Sequence, residues 1–80
     1  LSIYYGDKMY SELDFDELRK RFFMVMKKSA KTYAQLARES GVSKQVLHLW
    51  ATSAQRGMYP SNAYKLINYI EAKEKDLGLE

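Results

Sequence analysis

The sequence predicts an all-α fold, a small bundle of four to five helices, on three observations. Apolar residues recur at helical spacing in four stretches, the joints between them are short, and no internal repeat or low-complexity stretch interrupts the pattern. At 80 residues the chain makes one small domain, which buries only roughly 60% of the surface its unfolded form exposes. That is too little for a large enclosed active site. A hydrophobic fraction of 46% with 14% aromatics fills one core.

The first helix is expected over about residues 14–28. Phe15, Leu18, Phe22, Val25 and Met26 gather on one face of a helical wheel, while Asp16, Glu17, Lys20, Arg21, Lys27 and Lys28 take the other. Asp14 with Glu17 three residues on makes a capping-box-like start, so these carboxylates are read as capping groups and not as catalysts. A second helix, about 32–40, opens on the Thr32–Gln35 capping-box pair and closes at Gly41, the natural residue for a left-handed helix end. Only two residues later Ser43 caps a third helix, about 43–51, carrying Val46, Leu47 and Trp50. Two short helices joined by so tight a turn must cross steeply, which is helix-turn-helix geometry.

Thr52 to Pro60 reads as a loop, and Ser61 is expected to cap the fourth helix, about 61–76, with Ala63, Leu66, Ile67 and Ile70 as its apolar stripe. Residues 1–13 are taken as an N-terminal extension or vector-derived residues, in which Leu1, Ile3, Tyr4 and Tyr5 suit a short extended segment and Met9 is a candidate natural start. The helix-turn-helix domain is placed at 14–80.

Charge is unevenly distributed. The net charge is +3, but residues 1–17 balance at −4, residues 18–70 at +9 with Glu39 their only acid, and the last ten at −2. A polycationic middle attracts polyanions such as the DNA backbone. The chain has no cysteine, which excludes disulfides and zinc–thiolate sites and suits a reducing cytoplasm. The longest apolar run, Phe22 to Met26, is far below the length of about 20 residues that spans a bilayer, so neither a membrane partner nor a signal segment is expected.

Thr32 to Trp50, TYAQLARESGVSKQVLHLW, resembles the helix-turn-helix of phage repressor and Cro-like regulators. Ala37 stands where that family needs a small residue between the helices, Gly41 where the turn needs positive φ, Val42 where an apolar side chain plugs the turn, and Leu47 and Trp50 where the third helix faces the core. The likeness spans about residues 14–73. Two features depart from it. The arginine and glutamate that often pair between the first helix and the end of the third are here Met26 and Ala51, and the fifth helix, often a dimer element, has no counterpart in Glu71 to Glu80.

The resemblance implies sequence-specific double-stranded DNA binding by a phage or bacterial transcription regulator, a repressor, with a homodimer left open. It places Ser43, Lys44 and Gln45 at the base-reading positions; Leu49 would meet a thymine methyl and His48 a phosphate or base edge. For phosphates, Thr32 and Tyr33 at the start of the second helix offer N–H groups and hydroxyls, since a helix N-terminus favours an anion, and Thr52, Arg56, Lys31 and Lys65 are the other candidates. Lys20, Arg21, Lys27 and Lys28 are weaker candidates.

No enzyme, cofactor, metal or small-molecule substrate is expected. The only histidine has no cysteine to pair with, Ser43 and His48 lie five apart on one helix, and no phosphate-cradling glycine loop or HExxH motif occurs. Met9, Met24, Met26 and Met58 read as packing and surface residues. The strongest rival is a protein-interaction module on the same fold, to which Tyr4, Tyr5, Tyr10, Tyr59, Tyr64 and Tyr69 could supply an interface. Last comes a first helix acting as a membrane-surface or calmodulin-binding amphipathic helix through Phe22, Phe23 and flanking bases.

Overall fold

A computed structural model describes residues 13–79, together with the backbone of two short strands, β1 (Tyr4–Tyr5) and β2 (Lys8–Met9). The strands pair antiparallel, with Tyr4 opposite Met9 and Tyr5 opposite Lys8. The extended segment expected at Tyr4 and Tyr5 is thus one arm of a minimal ribbon; Leu1 and Ile3 lie outside the described residues.

Four helices, α1 (Phe15–Ser29), α2 (Tyr33–Ser40), α3 (Lys44–Ala51) and α4 (Pro60–Leu77), make the all-α bundle. Local chemistry sets their ends. The Asp14 carboxylate accepts from the N–H groups of Asp16 and Glu17 at 3.0 and 3.1 Å, and Asp16 and Glu17 in the first turn with Lys27 and Lys28 in the last complement the helix dipole. At α2 the capping box is complete: the Gln35 N–H donates to the Thr32 hydroxyl at 3.2 Å, and the Thr32 N–H donates to the Gln35 side-chain oxygen at 2.9 Å. Gly41 follows in the left-handed region at φ +82°, where a β-carbon would be strained, and the Ser43 hydroxyl accepts from the Val46 N–H to open α3.

The start of α4 differs from expectation. It begins at Pro60, with Tyr59 at the cap position and no side-chain cap bond, so Ser61 lies inside the first turn. Proline explains the shift: its fixed φ suits the first helical position, and it has no N–H to leave unsatisfied there.

α1 packs on α4, and α2 packs on both α3 and α4. Between them Phe22, Val25, Leu36, Leu47, Trp50, Leu66 and Ile70 are fully buried. Phe22 is the centre of an aromatic chain, edge-on to Trp50 at 5.6 Å and stacked on Tyr33 at 6.1 Å. Of the methionines, Met58 is buried, Met26 packs against the core and Met24 is exposed.

The link between α1 and the end of α3 is not missing, as Met26 and Ala51 implied; it comes from Arg19. Its guanidinium lies over the Trp50 ring at 5.1 Å, its Nε donates to the Trp50 carbonyl at 2.9 Å, and its terminal nitrogens reach Asp16 at 2.7 Å and the Arg56 carbonyl at 3.4 Å. Arg21, expected on the solvated face, instead donates to both carboxylate oxygens of Glu74 on α4 at 2.9 and 2.6 Å. Glu74 raises the Arg21 pKa further above its already high ordinary value, chiefly through these hydrogen bonds.

Candidate nucleic-acid interface

At 100° per residue, Lys44, Gln45, His48, Leu49 and Thr52 fall on one side of α3, away from the buried Leu47 and Trp50. Lys44, Gln45 and His48 are exposed and Leu49 is half-buried. Ser43 is also exposed, and although its oxygen accepts the Val46 N–H, a hydroxyl keeps its own proton to donate. Of the five residues expected to read bases, Lys44, Gln45, His48 and Leu49 share one side of α3, and Ser43 stands before them at its N-terminal cap.

The start of α2 comes alongside. The Tyr33 ring stands edge-on to the His48 ring at 5.2 Å, while its other side stacks on Phe22 in the core. Through this contact the first turn of α2 and the outer face of α3 form one continuous surface. Within that turn the capping box occupies the N–H groups of Thr32 and Gln35. The donors for which the helix supplies no acceptor are those of Tyr33 and Ala34. An anion at this helix end would meet Tyr33 and Ala34 rather than Thr32. Ala34 escaped the sequence reading because its side chain carries no polar group; counting cap bonds is the signal that finds it.

The remaining phosphate candidates scatter. The Thr52 hydroxyl donates back to the His48 carbonyl at 2.7 Å. Arg56 is exposed and lines a groove with Leu13, Asp14, Phe15 and Asp16, at the start of α1 rather than along α3. Lys65 rests its stem beside Gly41 at the α2–α3 turn, its Cδ 3.7 Å from the point a β-carbon there would occupy.

Lys31 is held elsewhere. Its ammonium donates to both oxygens of Glu39 at 2.7 and 2.6 Å, the Tyr69 hydroxyl donates to the same carboxylate at 2.7 Å, and Lys73 stands 3.8 Å away. This cluster ties the joint before α2 to α4. The Lys31 hydrogen bond, then that of Tyr69, holds the Glu39 carboxyl below the usual carboxylate range. Glu39 in turn raises Lys31, and burial followed by Glu39 pushes the Tyr69 phenol well above its ordinary value.

The sign of the pH dependence follows. A depressed Glu39 contributes stability that is present above the carboxylate's unfolded pKa and lost as pH falls through its lower folded value; raised Lys31 and Tyr69 contribute stability present below their unfolded values and lost as pH rises through the folded ones. Glu39→Gln is therefore expected to lower the urea midpoint at neutral pH and to flatten its decline below the ordinary carboxylate range. Equal acid slopes in both proteins would remove Glu39 as the source.

No protein-family model, curated protein or solved structure gives a significant match to this chain. What its surface can do is decided by its own residues. No helix among the described residues is long and apolar enough to cross a membrane, and no group of acids and histidine among them could hold a metal ion.

Proposed function

We propose that this chain binds double-stranded DNA sequence-specifically, inserting the start of α3 into the major groove, as the DNA-binding domain of a phage or bacterial transcription regulator. The observation that carries the reading is the Tyr33–His48 contact, which joins the start of α2, with its two uncapped N–H groups, to the exposed polar row on the next helix. Phosphate contacts from α2 would fix the register, and Lys44, Gln45 and Ser43 would meet base edges. The uneven charge adds to this, since the segment from 18 to 70 that contains both helices holds ten of the thirteen bases against one acid.

Selection of bound duplexes from a random library, at low and at physiological salt, tests it. Enrichment of a short motif is the expected result, and two half-sites about one DNA turn apart would reveal a homodimer. Gln45→Ala is expected to relax base choice at one position at a cost of about 1–3 kcal/mol. Unchanged affinity and preference in Gln45→Ala would show that α3 does not enter the groove in this register.

One observation favours the protein-interaction module: Tyr59 is 80% exposed at the start of α4. Tyr64 and Tyr69, however, are half-buried, which thins the tyrosine-rich surface. Binding that vanishes at physiological salt without a motif would move the assignment to that module.

A further inference from the structure

The outer face of α1 takes no part in the surface described above; there Phe23, edge-on to Phe22 at 5.6 Å, and Met24 leave apolar surface to solvent among lysines. Phe23 and Met24 are 39% and 47% exposed, on a helix whose other face already gives Leu18, Phe22 and Val25 to the core. Lys20, Lys27 and Lys28 are exposed on the same side, and among the described residues none of the three is in an ion pair. Beyond Glu17 the helix carries no acid. Large apolar side chains framed by unneutralised ammonium groups make a surface of defined complementarity.

We propose that this face, Phe23 and Met24 framed by Lys20, Lys27 and Lys28, docks an acidic amphipathic segment of a protein partner. Aromatic and methionine side chains are the residues enriched at the centre of protein interfaces, and methionine adapts its shape to the apolar groups it meets. Glutamates or aspartates flanking the partner's apolar stripe would neutralise the three lysines as the apolar side chains are covered. The alternatives fit less well. A second copy docked through the same face about a two-fold axis sets lysines against lysines. A duplex would take the lysines but leave Phe23 and Met24 facing phosphates in a wet, polar interface. A bilayer surface needs a broad apolar face, and α1 has committed its own to the core.

The test is an amide chemical-shift titration of the intact chain with a synthetic amphipathic helix bearing leucine and phenylalanine on one side and glutamate on the other. Shifts concentrated on residues 20–28 are expected. Affinity should fall about tenfold or more in the double variant Phe23→Ser, Met24→Ser. The triple variant Lys20→Gln, Lys27→Gln, Lys28→Gln should weaken binding and reduce its salt dependence. Unchanged α2–α4 resonances in the free variants establish that they fold. The proposal is overturned if the peptide leaves α1 unmoved, or if polyglutamate binds as tightly and shows that charge alone is read. It is equally overturned if duplex DNA or phosphatidylserine vesicles move the α1 amides and the peptide does not. DNA binding through α3 is tested by other resonances, so either can fail without the other.

Discussion

Phe22→Ala is expected to destabilise the domain by about 3–5 kcal/mol, the cost of deleting a fully buried ring and leaving a cavity. Small domains hold only about 5–15 kcal/mol in total, and one of this size lies toward the lower end, so a large fraction of the molecules would unfold on mild warming. The ring is in contact with both Trp50 on α3 and Tyr33 on α2, at 5.6 and 6.1 Å, so its loss unfastens two helices from the first at once. Urea denaturation followed by Trp50 fluorescence measures the loss directly. Phe22→Leu keeps part of the volume and should lose less. The change also has a functional reach: Tyr33 is held between Phe22 and His48, so in whatever folded protein remains, the His48 ring resonances should shift. A loss below about 1 kcal/mol would mean that the site collapses around the cavity and that the aromatic chain does not hold α2 against α1.

Most of the fold was legible because its signals are local. The Thr32–Gln35 box, the left-handed Gly41 and the Ser43 cap each follow from two or three neighbouring residues, and the structure makes those bonds. The wheel of α1 separated buried from exposed residues for the same reason. What escaped depends on distance along the chain. Arg19 reaches Trp50 across 31 residues and Arg21 reaches Glu74 across 53, and no spacing rule predicts which member of a basic run finds a partner. Likewise Lys31 reads as a phosphate contact, because nothing in its neighbourhood announces that it pairs with Glu39, a carboxylate that Tyr69 binds from α4. Ser61 failed for a local reason: serine was given the cap although the proline before it had the stronger claim on the first turn. The polar row on α3 follows from the resemblance, but its nearness to the start of α2 required the Tyr33–His48 contact.

Arg19 gives the second large expectation, because three interactions with separable energies meet on one side chain. Its pair with Asp16 is a surface bond on the carboxylate side, where the aspartate is 89% exposed, and such pairs contribute at most about 1 kcal/mol. The hydrogen bond to the Trp50 carbonyl is different. The Arg19 side chain is only 13% exposed, and a charge-assisted bond to a carbonyl in such a place contributes about 1.5–3 kcal/mol. Its position over the indole ring adds about 0.5–1 kcal/mol. Arg19→Ala is therefore expected to cost about 2–4 kcal/mol, while Asp16→Ala stays within about 1 kcal/mol. Arg19→Lys keeps the charge but not the planar fork, and should fall between them. The loss should be local as well as global. Arg19 binds carbonyls at Trp50 and Arg56, on either side of the turn where the Thr52 and Gln55 N–H groups donate to His48 and Leu49. Hydrogen exchange at Thr52 and Gln55 should thus rise before that of Leu36 or Leu66, because the far end of α3 would no longer be fixed to α1. If Asp16→Ala destabilised the domain as much as Arg19→Ala, the surface pair would be what holds Arg19 in place, and the carbonyl bond would be its consequence.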